Sequence, residues 1–135
     1  MNGVSVDTNI FSAVWGGEPT APEVTRRLNE LSGEQRLVMC GAVYGELVGR
    51  YGPTLVQDSL GPVVLMPDMP LAAWQRAGEA HAAYARRRRQ SGGGVPRRIL
   101  TDFLIGAHAS AYGLSLFTLN TADYADFPEV PLLTL

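Results

Sequence analysis

The chain contains no lysine, and all eleven of its basic residues are arginines. Its single cysteine, Cys40, excludes an internal disulfide and suits a reducing compartment. Because Cys40 ends an apolar run, we expect a buried structural thiol. No apolar run approaches the roughly 18 residues that a membrane span needs, and the N-terminus has no basic stretch followed by an apolar core. We therefore expect a cytoplasmic protein without a membrane segment or a secretory signal.

Charged residues are also scarce, at 18% of the chain. This proportion argues against a disordered tail or a coiled coil. A length of 135 residues with 46% hydrophobic content allows one domain with a real core. We predict a single domain over residues 1–135, without repeats or linkers.

The arginines are unevenly distributed. Residues 86–98 carry a charge of +6, and the rest of the chain carries −8, which together give the net charge of −2. A chain polarised in this way offers an anionic partner one attractive surface despite its negative total. The six arginines of this window are Arg86, Arg87, Arg88, Arg89, Arg97 and Arg98.

Short apolar segments alternate with helix-like segments along the chain. Strands are predicted at 4–6, 37–40, 116–118 and 132–135, and a strand or extended segment at 63–66. Helices are predicted at 8–15, 20–31, 42–51, 54–60, 71–89 and 101–112, with a turn or short helix at 121–124 and a loop at 91–94. Thr20 is the expected cap of the second helix, and Gly33 is expected to end it. The alternation predicts an α/β fold with a short, mainly parallel sheet of four to five strands flanked by helices.

Four acidic residues stand beside or within apolar segments, where acids are costly unless something compensates them. They are Asp7, Glu46, Asp102 and Asp123. Asp7, Glu46 and Asp123 follow predicted strands, so they fall on the edge where sites form in open parallel sheets. Helical spacing places Glu46 and Asp102 among small or apolar neighbours, which predicts that both point inward. Four convergent acids would repel one another, and a divalent cation bound by oxygen ligands is the simplest compensation.

Taken in order, these motifs resemble the PIN domain, and in particular the VapC-like toxins of bacterial toxin–antitoxin pairs. Any one motif is weak, but all four in order and spacing over essentially the whole chain form a strong signal. The motifs are Val-Asp7-Thr8-Asn9 after the first strand, a lone Glu46 in the helix after the second, Asp102-Phe-Leu-Ile-Gly-Ala-His-Ala, and Thr118-Leu-Asn120-Thr-Ala-Asp123-Tyr124.

The resemblance implies a PIN-like fold and a Mg²⁺- or Mn²⁺-dependent endoribonuclease. Acids matching Asp7, Glu46 and Asp102 would bind the metal, directly or through water. The fourth acid of the family stands either where this chain has Asn120 or where it has Asp123, and we choose Asp123. The resemblance further implies that Thr8, Asn9, Thr118 and Asn120 support the site, by orienting carboxylates or a bound water.

Each acid also has an ordinary structural explanation. Asp7 could cap the helix that follows it, and Glu46 could pair with Arg50 at four residues' distance. Asp102 could stabilise a helix start, and Asp123 could be a turn residue. The two histidines, His81 and His108, are expected to be structural or solvated, because metal-assisted hydrolysis needs no dedicated general base.

The arginine run is open to two interpretations. Four arginines at the end of a helix are most often a solvated end, where cations also suit the helix dipole. Alternatively, they form a patch that contacts RNA phosphates by bidentate hydrogen bonds or receives an acidic antitoxin segment.

The leading functional hypothesis is the toxin ribonuclease of a toxin–antitoxin pair, with RNA as substrate, an antitoxin protein as partner and a homodimeric state. A PIN-fold module that has lost catalysis and acts by binding RNA or protein is the alternative. A phosphoaspartate-forming receiver domain is similar in size and architecture. It normally needs a lysine near the phosphate, however, and this chain has none.

Overall fold

Five parallel strands form one sheet at the centre of the protein. The computed structural model describes residues 3–92 and 100–135. The strands stand in the order β3-β2-β1-β4-β5, and every neighbouring pair is parallel. Their bounds are β1 Gly3–Val6, β2 Arg36–Cys40, β3 Val64–Met66, β4 Ser115–Phe117 and β5 Leu132–Leu133. The predicted α/β fold with a parallel sheet of four to five strands is therefore confirmed.

Six α-helices and a short 3-10 helix occupy the connections within the described part of the chain. The helices are α1 Thr8–Trp15, α2 Ala21–Glu34, α3 Gly41–Tyr51, α4 Pro53–Asp58, α5 Leu71–Gln90 and α6 Leu100–Ala111, and the 3-10 helix is Thr121–Tyr124. Ser91 and Gly92 form a turn, whereas Gly93 and Gly94 of the predicted loop lie outside the described residues. Among the residues that the structure covers, none of the helices combines the length and apolarity needed to span a bilayer.

The strand register aligns the carboxyl ends that carry the site. Val6 pairs with Phe117 across β1 and β4, and Cys40 pairs with Met66 across β2 and β3. The Asp7 amide continues the ladder by donating to the Phe117 carbonyl at 3.0 Å. Consequently Asp7 and Thr118, the residues just beyond β1 and β4, lie side by side at one sheet edge, as parallel α/β topology predicts.

Of two local predictions about α2, the end at Gly33 is wrong, and the cap at Thr20 is confirmed in position only. The helix runs through Gly33 to Glu34, and the Gln35 amide still donates to the Leu31 carbonyl at 2.8 Å. Glycine costs a helix only about 1 kcal/mol, and the buried Leu31 holds this turn on the core. Thr20 occupies the predicted N-cap position and its carbonyl accepts from the Val24 amide at 2.9 Å, but its side chain makes no capping hydrogen bond.

The single cysteine confirms the expectation of a buried thiol. Cys40 ends β2 with 1% of its surface exposed. Burial raises the pKa of its thiol to about 11. A thiol with so high a pKa is almost entirely protonated near neutral pH and is a poor nucleophile.

An ion pair ties the C-terminal segment to α5. Arg76 donates to both carboxylate oxygens of Glu129 at 3.0 Å and to the Asp126 carbonyl at 2.7 Å. Its guanidinium also lies 4.7 Å from the ring centre of Phe127. Hydrogen bonding from Arg76 lowers the pKa of Glu129 to about 2, so the pair persists over the whole neutral range. These contacts hold residues 126–129, which follow the 3-10 helix that carries Asp123.

The histidine of α6 is part of the core. His108 is fully buried, and its Nε2 lies 2.9 Å from the Met66 carbonyl, to which the neutral ring donates. His81 packs edge-on against Phe103, with ring centres 5.1 Å apart. Both contacts agree with the structural roles expected for the two histidines.

We expect the buried His108 to make the stability depend on pH. Burial lowers its pKa below the ordinary value of 6.5, so the folded chain binds fewer protons here than the unfolded chain. The resulting stabilisation is complete above pH 6.5 and is lost as the pH falls from 6.5 towards the folded pKa, by up to about 1.4 kcal/mol per pH unit. Urea unfolding of the wild type and His108→Gln between about pH 7.5 and about pH 5.5 measures this. The wild type should lose more stability than the variant, and equal losses would contradict the assignment.

Candidate functional site

Asp7 is the most buried acid of the predicted quartet, with 5% of its surface exposed. Three donors surround its carboxylate. The Thr8 amide donates to Oδ1 at 2.7 Å, and the hydroxyls of Thr118 and Tyr124 both donate to Oδ2 at 2.8 Å. Asp7 is thus the helix cap that its position suggested, and its other oxygen is at the same time bound by two side chains from distant parts of the chain.

The direction of the Thr118 hydrogen bond is fixed by its neighbours. The Thr118 hydroxyl oxygen accepts from the Asn120 amide at 3.0 Å and from Asn9 Nδ2 at 3.3 Å. Its one proton is therefore directed at Asp7. Asn9 Oδ1 in turn accepts from the Leu119 amide at 3.2 Å. The predicted supporting residues thus join the start of α1 to the end of β4 through side-chain contacts.

Glu46 lies across the cleft on α3 and shares an anchor with Asp7. Its Oε1 accepts from the Thr8 hydroxyl at 2.7 Å. The expectation that Glu46 points into the protein is wrong, because the residue is exposed. Its apolar neighbours on α3 are buried instead: Val43 and Leu47 face the core, and Glu46 stands beside that face at the cleft.

The alternative pairing of Glu46 with Arg50 does not form among the described residues. Arg50 Nη1 donates to the Ser12 hydroxyl at 3.0 Å. The spacing was correct, since both side chains line the same cleft, but Thr8 is the closer partner of Glu46.

All four predicted acids line one cleft of about 410 Å³. Asp102 enters from the first turn of α6 and Asp123 from the 3-10 helix, and both are half-buried. Four segments far apart in sequence therefore bring carboxylates to one place. Of the two candidate positions for the fourth acid, Asp123 lines this cleft. Asn120 is exposed, and its backbone amide donates to the Thr118 hydroxyl.

A second cavity, of about 730 Å³, adjoins the first and carries part of the arginine run. Asp102 and Asp123 line both cavities, and Arg87 and Arg88 line the second. Arg87 also forms an ion pair with Asp126. Arg86 and Arg89 are exposed on α5, while Arg97 and Arg98 lie outside the described residues. Cationic side chains therefore border the acidic cleft on one side.

The electrostatics of Asp7 reflect its crowded position. Burial raises its pKa above the ordinary value, against the effect of its hydrogen bonds from Thr118, Tyr124 and Thr8, and the nearby Glu46 raises it further. Such a carboxylate gains from a positive charge, since a cation favours its ionised form.

The residues of the cleft fit a hydrated divalent cation better than a fully protein-bound one. Within residues 3–92 and 100–135, no three acidic, histidine or cysteine side chains form a group that could hold a metal ion as they stand. Mg²⁺ keeps several waters and is commonly bound through one or two carboxylates. The four predicted carboxylates of the cleft allow one or two direct ligands, with the others reached through water.

Sequence reasoning missed several residues of this site. Tyr124 carried a usable signal, since a tyrosine beside Asp123 in a buried segment needs a partner for its hydroxyl. Ser12 and Arg50 stand four residues after Thr8 and Glu46, so helical spacing places them on the same faces. Glu18 also lines the cleft, from the loop between α1 and α2, where no periodic pattern indicates it.

Comparison with known proteins agrees with this architecture. Residues 4–130 match the family model described as the PIN domain. The chain belongs to the PIN-domain family, so the resemblance noted in its sequence is confirmed. No curated protein sequence matches it significantly.

Solved structures of similar fold come from bacterial complexes. A chain of VapBC2 from Rickettsia felis, bound to a DNA fragment from its promoter, has a TM-score of 0.75 at 19% identity, with 98% of each chain covered. VapBC-1 from nontypeable Haemophilus influenzae gives 0.72 at 19% identity, covering 98% of this chain and 97% of that one. A toxin–antitoxin complex from Klebsiella pneumoniae gives 0.67 at 20% identity, with 94% of each chain covered. At these identities the likeness shows the fold.

Proposed function

We propose that the protein is a Mg²⁺- or Mn²⁺-dependent endoribonuclease and the toxin of a toxin–antitoxin pair. The observation that carries the proposal is the convergence of Asp7, Glu46, Asp102 and Asp123 on one cleft at the carboxyl edge of the sheet. Membership of the PIN-domain family supports a nuclease. The fold likeness to VapBC and toxin–antitoxin structures supports the role in a pair.

The four acids would hold the metal, and their neighbours would fix them in place. A divalent ion bound here supplies an activated water and neutralises charge that develops on the phosphoryl oxygens. Thr8 binds both Asp7 and Glu46, and Thr118 and Tyr124 hold the second oxygen of Asp7. Carboxylates held in this way need little rearrangement as the phosphodiester is cleaved.

The second cavity would receive the RNA backbone. Arg87 and Arg88 line it next to Asp102 and Asp123, so a strand could present one phosphate to the arginines and a neighbouring one to the acids. Arginine binds phosphate oxygens through paired hydrogen bonds, and the resulting affinity falls as salt rises. This placement supports the phosphate-binding interpretation for Arg87 and Arg88.

The proposed partner is an antitoxin protein, and the proposed state is a cytoplasmic homodimer. Leu71 and Trp74 on α5 are 82% and 52% exposed, which leaves apolar surface available for an association. Light scattering of the purified chain measures its mass, and a monomer at all concentrations would exclude the homodimer.

We expect RNA cleavage by the purified chain to require a divalent ion. Removal of metal by a chelator should lower the cleavage rate of a structured RNA by at least about 100-fold, because the activated water and the charge neutralisation are both lost. Addition of excess Mg²⁺ or Mn²⁺ should restore it. The measurement is the initial rate of cleavage of end-labelled RNA.

The Asp7→Ala variant, purified in the same way, separates this activity from a contaminating nuclease. Equal cleavage by the wild type and the variant, or cleavage that survives the chelator, would refute the proposal. A folded chain that binds RNA but never cleaves it would instead support the inactive binding module.

A further inference from the structure

Tyr124 makes a buried contact with the proposed metal site. Its hydroxyl donates to Asp7 Oδ2 at 2.8 Å, and the residue is 2% exposed. It comes from the 3-10 helix next to Asp123. The hydroxyl thus contacts one of the four acids, and the residue directly follows another in the chain.

The two oxygens of Asp7 are in different surroundings. Both bonds to Oδ2, from Thr118 and Tyr124, are buried, whereas the bond from the Thr8 amide to Oδ1 is only partly buried. Two donors therefore use both lone pairs of the more buried oxygen, Oδ2, whereas Oδ1 accepts one hydrogen bond and keeps one lone pair. Asp7 lines the cleft. A carboxylate held by three donors cannot rotate without breaking at least one bond.

We propose that Tyr124 is a positioning residue that fixes the Asp7 carboxylate in the cleft, where the proposed divalent cation would bind. Without Tyr124, the Thr118 hydroxyl alone would hold Oδ2 and the Thr8 amide alone would hold Oδ1, so the carboxylate would be held less firmly. With Tyr124 added, the inner oxygen is held from β4 and from the 3-10 helix. The inference rests on the proposed metal-dependent function and assigns to Tyr124 a role in metal affinity rather than in the chemical step.

The test is a Mn²⁺ titration of the full chain, by calorimetry, with Tyr124→Phe. This variant removes only the hydroxyl and keeps the ring in the core. Loss of a group that orients a metal ligand typically weakens metal binding about 10- to 100-fold, and we expect a loss of at least about 10-fold. A role limited to stability would lower the unfolding midpoint and leave the Mn²⁺ affinity unchanged, and that result would overturn the inference.

The matched control is Tyr112→Phe. The Tyr112 hydroxyl donates to the Asp68 carbonyl at 2.9 Å. The control therefore removes a tyrosine hydrogen bond of similar length that does not involve the four acids. It should bind Mn²⁺ like the wild type. The rise in melting temperature on addition of Mn²⁺ provides a second readout, since ligand stabilisation scales with affinity and remains measurable in a weakened fold.

The outcomes separate the inference from the proposed function. If the wild type binds Mn²⁺ and both phenylalanine variants bind it equally well, Tyr124 does not position Asp7, and the proposed function stands. If the wild type does not bind Mn²⁺ at all, the metal-dependent function fails and the inference fails with it.

Discussion

Asp7→Asn should reduce RNA cleavage by about 100- to 1000-fold, which corresponds to roughly 3–4 kcal/mol of lost transition-state stabilisation. The substitution keeps the size and shape of the side chain but removes the charge that would attract the proposed metal. It also places an amide nitrogen among three donors, since the Thr8 amide and the Thr118 and Tyr124 hydroxyls all point at this group. At least one donor must lose its acceptor or turn away.

The folding stability of Asp7→Asn should change far less than its activity. Burial disfavours the charged carboxylate, so a neutral amide stabilises the folded state by removing that cost. The lost hydrogen bond destabilises the folded state and offsets this gain. We expect these effects to leave the free energy of unfolding within about 1 kcal/mol of the wild type. Rates of RNA cleavage and urea unfolding curves of the same preparations separate the two quantities.

Asp58→Asn makes the same chemical change at an exposed position, the last residue of α4. Its cleavage rate should stay within about twofold of the wild type, as for most surface substitutions. A large loss of cleavage rate in Asp58→Asn would show that the net charge of the chain, rather than the position of Asp7, controls the activity. Undiminished cleavage by Asp7→Asn would remove Asp7 from the mechanism.

The sequence predicts the fold and the convergence of the acids because both follow from one-dimensional periodicity. Apolar strands that alternate with helices define a parallel sheet, and residues just beyond such strands share an edge. Asp7 and Asp123 reach the cleft for this reason. Asp102 does not follow a strand but lies in the first turn of α6, so its place in the site is predicted from the family resemblance and from its helical face.

Burial and partners are harder to predict, since they depend on which elements pack together. Glu46 has apolar neighbours in sequence, yet it is exposed, because α3 turns Val43 and Leu47 to the core and leaves Glu46 at its border. Periodicity gives the face of a helix, but the angle at which that face meets the sheet is a tertiary property. The pairing of Glu46 with Thr8 rather than with Arg50 is likewise a tertiary property, because it depends on how α1 and α3 pack together.

Gly106→Ala should lower the free energy of unfolding by about 1–3 kcal/mol through overpacking. A Cβ at Gly106 would lie 2.5 Å from both Cδ2 and Cε2 of Phe127. That ring has little room to move, because Phe103 packs against it at a centroid distance of 6.2 Å and the Arg76 guanidinium lies 4.7 Å from its centre. Urea unfolding midpoints, at an unchanged denaturant slope, measure the loss.

Gly78→Ala is the control, because the same substitution there meets no neighbouring atom within 4 Å on the exposed side of α5. It should leave stability unchanged or raise it by up to about 1 kcal/mol, as alanine favours a helix over glycine. In Gly106→Ala the displaced Phe127 should also disturb the site, since its amide donates to the Tyr124 carbonyl at 3.0 Å. We therefore expect weaker Mn²⁺ binding together with the lower stability. A Gly106→Ala chain as stable as the wild type would show that the C-terminal segment moves freely, and the precise placement of Asp123 and Tyr124 would then lose its structural basis.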